Sequence, residues 1–327
     1  MNLHDLTTPA LLVESAALDH NIQAMSRTLP GRRLRPHVKA HKCTELAKLQ
    51  ARAGHPAFTC ATLREMEGLA HAGLGDDLLL ANEVLDASRL RSLPGRVTVA
   101  VDSSETILAA TRGGVTEVLI DVNVGLPRCG CSPDRAGALA DEARRQGLTV
   151  RGVMGYEGHA VGLEDIVRRT SETNQSMERL AAAHRAVGGD TISAGGTGTY
   201  ALNGLATEIQ AGSYALMDTA YGRLELPFRP ALTILSTVIS TSADYVVADC
   251  GLKALGMDHG NPAIDDAQIW FCSDEHITFA RTPSPRVGDR IRVRPAHVDP
   301  TVAYHEQLHV VDGEQVLESW PIDLRGW

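Results

Sequence analysis

The sequence of 327 residues lacks several features that would mark particular classes of protein. It has no apolar run long enough to cross a bilayer, and its start, Met-Asn-Leu-His-Asp, does not have the pattern of a signal peptide. Its 31 lysines and arginines are outnumbered by 40 aspartates and glutamates, and no basic run interleaved with aromatic residues occurs. We therefore expect a cytoplasmic globular protein that binds neither nucleic acid nor membrane.

The six cysteines lack the spacing of a zinc ribbon or of a disulfide framework. Cys129 and Cys131, separated by one glycine, leave two interpretations open: a pair of metal ligands, or an ordinary reduced pair. The second interpretation is favoured.

What the sequence does contain is an alternation of short apolar runs with segments of helical periodicity. Strands are predicted at 58–61, 77–81, 97–101, 116–122, 149–155, 191–195 and 208–212. Helices are predicted at 44–53, 86–92, 104–112, 133–146 and 162–186. Counted from the strand before Lys39, about eight strand-then-helix units favour an α/β fold closed as a (β/α)8 TIM-type barrel. The alternative, an open doubly wound sheet, is weakened because no Gly-x-Gly-x-x-Gly follows the first strand.

The pattern changes after Pro230, where strands follow one another with few helices between them. We therefore predict two domains, a barrel over residues 1–228 and an all-β domain over residues 229–327. Alternatively, the first ten residues or so join the β domain.

The stretch Arg35-Pro-His-Val-Lys-Ala-His-Lys42 places a lysine at the end of a strand, just before a helix. A barrel enzyme carries its chemistry at this position, and a lysine amine can form a Schiff base there. A surface loop rich in basic residues is the simpler alternative.

Glycine-rich turns follow the last two predicted strands, at Ser193–Tyr200 and Ala211–Tyr214. A barrel uses such turns to hold a phosphate on backbone N–H groups, although each turn alone is better explained by loop geometry. Two of them in adjacent final positions, with a lysine after the first strand, form a more specific pattern.

Together these motifs resemble the fold-type III pyridoxal-phosphate enzymes related to alanine racemase, and most closely their D-threonine aldolase and D-serine dehydratase branch. The resemblance runs over nearly the whole chain. It is carried by Thr8-Pro-Ala-Leu-Leu-Val, the Arg35–Lys42 stretch, Asn123-Val-Gly-Leu-Pro-Arg-Cys-Gly, Tyr156-Glu-Gly-His, Ser193-Ala-Gly-Gly-Thr-Gly-Thr-Tyr, Gly212-Ser-Tyr-Ala-Leu-Met-Asp, Ala248-Asp-Cys-Gly-Leu-Lys and His297-Val-Asp-Pro-Thr.

The resemblance implies a set of cofactor residues. Lys39 would be the Schiff-base lysine, Arg128 would reach the phenolic oxygen of pyridoxal phosphate, and Tyr156 or His159 would flank the ring or the substrate. The residues implied for the phosphate are Ser193, Gly196, Thr197, Gly212 and Ser213. Gln210 stands where alanine racemases carry an arginine facing the pyridine nitrogen, which leaves the protonation of that nitrogen open.

His297 and Asp299 are the predicted metal ligands. If the chain is extended there, side chains two residues apart point to the same side and reach one cation, although a hydrogen-bonded surface pair is common for this spacing. Related dehydratases carry His-x-Cys and bind zinc, whereas the aldolases carry His-x-Asp, so a carboxylate favours manganese or magnesium over zinc. His259, His276 and Asp274 are candidates for supporting positions, or are simply structural.

The resemblance implies a metal-dependent aldolase that cleaves D-threonine and related D-β-hydroxy-α-amino acids, with His159 as the base and a homodimer as the assembly. The alternatives are an aldolase acting on 3-hydroxy-D-aspartate, a dehydratase of D-serine or 3-hydroxy-D-aspartate, and a non-catalytic pyridoxal-phosphate carrier. The extra β domain argues against the carrier.

Overall fold

The computed structural model describes residues 1–281 and 285–327. The strands among these residues are β1 (Ala10–Glu14), β2 (Phe58–Cys60), β3 (Asp77–Leu80), β4 (Arg96–Val101), β5 (Glu117–Asp121), β6 (Thr149–Gly155), β7 (Thr191–Ala194), β8 (Glu208–Ile209), β9 (Leu232–Thr241), β10 (Tyr245–Ala248), β11 (Ile269–Cys272), β12 (Ile277–Ala280), β13 (Arg290–Val293), β14 (Gln307–Asp312) and β15 (Gln315–Pro321). The helices are α1 (Ser15–Thr28), α2 (Thr44–Arg52), α3 (Leu63–His71), α4 (Ser104–Arg112), α5 (Ala136–Arg145), α6 (Ile166–Val187) and α7 (Val298–Tyr304).

The chain divides into two compact units. One, which we call the barrel unit, comprises Met25–Lys39, Leu46–Gly212 and Leu324–Trp327. The other, the β unit, comprises Met1–Ala24, Ala40–Glu45 and Ser213–Asp323. The domain boundary predicted at residues 228/229 stays a prediction.

The barrel unit is built on seven parallel strands, β2 to β8, which lie side by side in the order of the chain. The segment 34–37 takes the place of a further strand, because Leu34 pairs in parallel with Ile209 at one edge and His37 pairs in parallel with Thr59 at the other. This segment closes the sheet, with one residue each from β3 to β6 (Leu79, Ala100, Leu119 and Met154) packed in its core. The predicted α/β barrel is confirmed, and the open doubly wound sheet is wrong.

Buried charges fix the segment that leads to Lys39. Arg35 is fully buried and donates hydrogen bonds to Asp77 Oδ1 at 3.0 Å and to Glu208 Oε1 at 2.9 Å. Asp77 and Glu208 are the first residues of β3 and β8. Because a buried ion pair needs its partners in place, this network specifies where the segment lies.

Three predicted helices differ from the structure, and one of them, predicted at 133–146, is shorter and spans Ala136–Arg145. The segment 86–92 contains only a 3-10 turn, Ser88–Leu90, because the Asp86 side chain accepts the Ser88 N–H at 2.9 Å and so favours a local turn. Helix α6 begins at Ile166 rather than at 162, because Asp165 caps it by accepting from the N–H groups of Val167 and Arg168.

The β unit contains an eight-stranded sheet in the order β11-β12-β10-β9-β1-β14-β15, with β13 also pairing with β9. Strand β1 lies in the interior of this sheet, antiparallel to β9 and parallel to β14. The N-terminal segment Ala10–Glu14 is therefore a strand of the β unit. Among the described residues, no helix is both long and apolar enough to cross a membrane.

Candidate active site

Lys39 lies in a single 3-10 turn, Val38–Ala40, directly after the segment that closes the barrel. Its side chain is half-buried, while Val38 and Ala40 on either side are fully buried. The Lys39 N–H points to His37 Nδ1 at 3.5 Å. The structure therefore places this lysine at the carboxyl end of the segment 34–37 that closes the barrel. Barrel enzymes carry their reactive groups at this end of their strands.

Three of the predicted cofactor residues come together in the barrel unit. The guanidinium carbon of Arg128 lies 5.2 Å from the centre of the Tyr156 ring, which is a cation–π distance. A Cβ placed on Gly196 would come within 3.4 Å of the same ring. The Arg128 loop is held in place because the Gly130 N–H donates to Asp102 Oδ2 at 3.2 Å.

The turn after β7 folds around Glu157, a fully buried carboxylate. Glu157 accepts hydrogen bonds from the Gly195 N–H at 3.3 Å, from Thr199 Oγ1 at 2.6 Å and from Asn203 Nδ2 at 2.7 Å. Gly195 has a φ of +83°, which favours glycine. In the sequence, Glu157 stands out only as part of the motif Tyr156-Glu-Gly-His. The signal was a carboxylate beside a glycine-rich turn whose N–H groups need an acceptor.

Two other predicted residues meet at the start of this turn. Gln210 donates from Nε2 to Ser193 Oγ at 2.8 Å, and its N–H donates to the Ala194 carbonyl at 3.0 Å. The Gly196 N–H donates to Thr199 Oγ1 at 3.2 Å. Thr197 is buried in the same turn. A tight, glycine-based turn supported from behind by Glu157 fits a phosphate group.

His159 lies between the loop after β5 and helix α6. Its Nε2 is 3.4 Å from Ser176 Oγ and 3.9 Å from Glu172 Oε2. Its Nδ1 is buried and, among the described residues, has no hydrogen-bond partner. Gly125 approaches the ring so closely that a Cβ there would lie 2.7 Å from the imidazole Cε1.

The two cysteines near Arg128 are free thiols. Burial, together with Glu83, raises the pKa of Cys129 to about 11, and burial, together with Asp121, raises the pKa of Cys131 to about 12. Asp121 is itself buried, and burial and the neighbouring Glu83 raise its pKa well above its ordinary value. A raised pKa favours the protonated thiol over the thiolate, which is the form that binds metal.

The two predicted metal ligands lie in the β unit. His297 is the residue before helix α7, and Asp299 lies in the first turn of that helix. The backbone of His297 is extended, but the chain becomes helical at Val298, because the buried Asp218 accepts the Val298 N–H at 3.0 Å and so caps the helix. The two predicted ligands are nevertheless together: His297 Nε2 lies 3.5 Å from Asp299 Oδ2.

Asp258 is the residue that sequence reasoning missed. Its two carboxylate oxygens lie 2.9 and 2.8 Å from His297 Nδ1, on the side of the ring opposite Asp299. The His259 ring stacks on the His297 ring, with centres 3.7 Å apart. Burial alone would lower the pKa of His297, but the hydrogen bonds and charges of Asp299 and Asp258 outweigh it and raise the pKa.

These donors fit a divalent metal. A nitrogen and a carboxylate oxygen 3.5 Å apart can both reach an ion that lies about 2.1 Å from each ligand. A carboxylate on the other ring nitrogen is the usual support for a metal-binding histidine. Asp258, His259 and His297 are also the residues whose ligand atoms cluster within 4.8 Å in the described part of the chain.

The remaining candidates have contacts of their own. Asp274 and His276 lie in the turn between β11 and β12, where the Asp274 carbonyl accepts the Lys253 N–H at 3.0 Å. Ser213, predicted as a phosphate residue, has its hydroxyl 3.4 Å from Asp299 Oδ2, as a donor. Gly212, the residue before it, is buried.

Family models match both parts of the chain. Residues 13–220 match the alanine racemase N-terminal domain, and residues 231–311 match a putative serine dehydratase domain.

Individual relatives match over almost their whole length. The chain is 34% identical to a D-threonine aldolase from Arthrobacter sp, with 98% of this chain and 93% of that protein covered. It is 31% identical to a 3-hydroxy-D-aspartate aldolase from Paracoccus denitrificans, with 100% of this chain and 94% of the relative covered.

Among solved structures, a D-threonine aldolase from Filomicrobium marinum has a TM-score of 0.94 at 31% identity and covers 99% of this chain and 97% of its own. D-threo-3-hydroxyaspartate dehydratase from Delftia sp. has a TM-score of 0.84 at 25% identity, with 100% of both chains covered. The chain therefore belongs to the alanine racemase-type enzymes, within the group that includes D-threonine aldolase.

Proposed function

We propose that this chain is a pyridoxal-phosphate- and metal-dependent aldolase that cleaves D-threonine and related D-β-hydroxy-α-amino acids to glycine and an aldehyde. The observation that carries the proposal is the His297–Asp299 pair, whose ligand atoms lie 3.5 Å apart. It occurs in a chain that is 34% identical to a D-threonine aldolase.

The barrel unit would hold the cofactor. Lys39 would bind it through its amine, and Arg128, stacked on Tyr156, would face the phenolic oxygen. The turn that Glu157 supports would receive the phosphate together with Ser193. When bound, pyridoxal phosphate supplies an electron sink for the bond that breaks at Cα. Gln210 would leave the ring nitrogen without a cationic partner, because its amide is neutral and donates to Ser193.

The β unit would hold the metal. His297 would bind through Nε2 and Asp299 through its carboxylate, while Asp258 keeps the proton of His297 on Nδ1. When bound, a divalent cation supplies a Lewis acid that orients and acidifies the β-hydroxyl of the substrate. One nitrogen and one carboxylate favour manganese or magnesium over zinc.

A base must accept the proton of the β-hydroxyl as the Cα–Cβ bond breaks. His159 is our candidate. Its Nε2 faces Ser176 and Glu172, so Nδ1 is the ring nitrogen that remains for this proton.

Two alternatives remain: an aldolase with another substrate, and a dehydratase. A 3-hydroxy-D-aspartate aldolase is 31% identical over the whole chain, so the side-chain preference within the aldolases stays open. In a dehydratase, Lys39 would take the Cα proton and the metal would help hydroxide leave. Asp299 argues against a dehydratase, because the resemblance implies that dehydratases carry a cysteine at this position. A solved structure of a D-threo-3-hydroxyaspartate dehydratase in which a cysteine is replaced by alanine is in a metal-free form.

Product analysis tests the choice between aldolase and dehydratase. With D-threonine as substrate, the proposal predicts glycine and acetaldehyde in equal amounts. If 2-oxobutanoate and ammonia formed instead, the bond broken would be Cα–H, and the dehydratase would replace the aldolase. We also expect a cytoplasmic homodimer, for which the resemblance is the support; sedimentation at micromolar concentration measures the assembly.

A further inference from the structure

One face of helix α6 is directed at His159, inside the barrel unit. Glu172, Ser176 and Arg179 are spaced by four and three positions, so they lie on the same side of the helix. Glu172 Oε2 lies 3.9 Å from His159 Nε2, and Ser176 Oγ lies 3.4 Å from the same nitrogen. A carboxylate and a hydroxyl one helical turn apart therefore approach one edge of the imidazole ring.

The third residue of this face holds the loop that covers the ring. Arg179 donates from Nη1 to the Val124 carbonyl at 2.8 Å. The next residue, Gly125, has a φ of +141°, and a Cβ there would lie 2.7 Å from His159 Cε1 and 3.0 Å from Nε2. The ring is thus enclosed between α6 and this loop, which restricts its rotation.

The two ring nitrogens of His159 meet different surroundings. Nε2 faces Ser176 and Glu172, whereas Nδ1 has no hydrogen-bond partner in residues 1–281 and 285–327. A neutral imidazole carries one N–H, and the nitrogen that faces acceptors is the one that keeps it. The proton therefore stays on Nε2, and Nδ1 presents the lone pair that a base requires.

We propose that Glu172 and Ser176 are positioning residues for the base, and that they act through His159. This inference deepens the proposed function and rests on it, because it takes His159 as the base. When Nδ1 accepts the proton of the β-hydroxyl, the ring becomes a cation with an N–H at both nitrogens. The Glu172 carboxylate then faces this cation, while Ser176 keeps the ring in its orientation.

The two residues contribute in different ways. The Glu172 side chain is 35% exposed, so solvent screens its charge, and we expect Glu172→Gln to lower kcat by about 5-fold. Ser176 is fully buried, and Ser176→Ala removes one hydrogen-bonding group, which should also lower kcat by about 5-fold. Neither change should alter KM, because both residues serve the proton transfer rather than the binding of substrate.

A double-mutant cycle with His159→Asn tests whether the two residues act through the ring. The measurement is kcat and KM for glycine release from D-threonine by the pyridoxal-phosphate-loaded protein with Mn²⁺. We expect His159→Asn alone to lower kcat by about 100-fold, which leaves a measurable rate. In that background, Glu172→Gln and Ser176→Ala should have no further effect. Losses of the same size with and without His159 would overturn the inference.

Matched controls lie on the same helix. Glu178 is exposed, and Ser171 is exposed with its hydroxyl accepting from Gln175 Nε2 at 3.3 Å. Glu178→Gln and Ser171→Ala make the same chemical changes away from His159, so they should leave kcat unchanged. Equal losses in these variants and in Glu172→Gln and Ser176→Ala would assign the effect to the helix and overturn the inference.

A second measurement does not depend on activity. In protein labelled with ¹⁵N-histidine, proton NMR detects a ring N–H that is hydrogen-bonded and protected from water, and comparison with His159→Asn identifies the one that belongs to His159. We expect this proton on Nε2 in the wild type and expect its signal to be lost in Glu172→Ala/Ser176→Ala. A proton on Nδ1 in the wild type would overturn the inference.

The two measurements separate the two possible failures. A protein that shows the Nε2 proton but releases no glycine from D-threonine loses the proposed function and keeps the positioning of His159 by α6. A protein that releases glycine but carries the proton on Nδ1 keeps the proposed function and loses the inference.

Discussion

Asp258 holds His297 with both of its carboxylate oxygens, at 2.9 and 2.8 Å from Nδ1. This contact leaves Nε2 as the ring nitrogen that faces Asp299. A carboxylate in this position fixes the tautomer of a metal-binding histidine and makes the ligand nitrogen more basic.

Asp258→Asn should therefore weaken metal binding. We expect the dissociation constant of Mn²⁺ to rise about 10-fold, because the amide retains the shape of the carboxylate but loses its charge. Titration calorimetry measures the constant. Asp265→Asn is the control, since Asp265 is exposed in the same unit and pairs with Arg294. Equal affinities in wild type and Asp258→Asn would show that Asp258 does not support the metal.

Glu157→Gln should loosen the turn proposed for the phosphate. The buried carboxylate accepts hydrogen bonds from three donors. The NH2 group of a glutamine would face at least one of these donors and could not accept its hydrogen bond. We expect the free energy of unfolding to fall by about 3 kcal/mol, since buried donors lose their acceptor. The dissociation constant of pyridoxal phosphate should rise with it. Urea unfolding and cofactor titration check the two effects, and Glu178→Gln, an exposed residue of α6, should change neither.

Lys39→Ala should remove the absorption band of the lysine-bound cofactor while the protein still folds. The side chain is only half-buried, so its truncation leaves a small cavity. Absorption spectra with added pyridoxal phosphate measure the band, and far-ultraviolet circular dichroism checks that the variant is folded. Lys253→Ala should keep the band, because Lys253 is exposed and pairs with Glu275. A band that persisted in Lys39→Ala would assign the cofactor to another lysine.

Acid should weaken the barrel through Asp77. Burial alone would raise the pKa of Asp77, but the charge and hydrogen bonds of Arg35 outweigh it and hold the pKa below the ordinary 3.8. A group whose pKa is lower in the folded state than in the unfolded state stabilises the fold above its unfolded pKa. That stability is lost as pH falls through the folded pKa.

We expect Asp77→Asn to lower the free energy of unfolding by about 3 kcal/mol at pH 7, because Arg35 loses a buried partner. The difference from wild type should shrink below pH 3.8. Urea unfolding across pH 7 to 3 measures it; a difference that did not change with pH would contradict the ion pair.

The order of the barrel could be predicted because its signals are local. The strands are continuous apolar runs, as in β4 (Arg96–Val101), and the stretch around Lys39 precedes a helix in the sequence itself. The segment 34–37 closes the sheet with isolated bridges rather than a full strand, so its role depends on both edges of the sheet meeting it.

The supporting residues could not be predicted, because their partners lie far away in sequence. The donors to Glu157 are Gly195, Thr199 and Asn203, which follow it by 38, 42 and 46 positions. Asp258 lies 39 positions before His297. A lone carboxylate is common on any surface, and only the fold shows which donors it meets. The helix at His297 was missed for the same reason, since the Asp218 cap lies 80 positions from Val298.

The central claim is that a divalent metal on His297 and Asp299 makes this chain an aldolase for D-β-hydroxy-α-amino acids. The most direct measurement is glycine release from D-threonine by the pyridoxal-phosphate-loaded protein, before chelation, after chelation, and after addition of Mn²⁺. We predict release that stops on chelation and returns with Mn²⁺ in the wild type, but does not return in Asp299→Ala. Release that continued undiminished in the chelated protein, or in Asp299→Ala, would contradict the account.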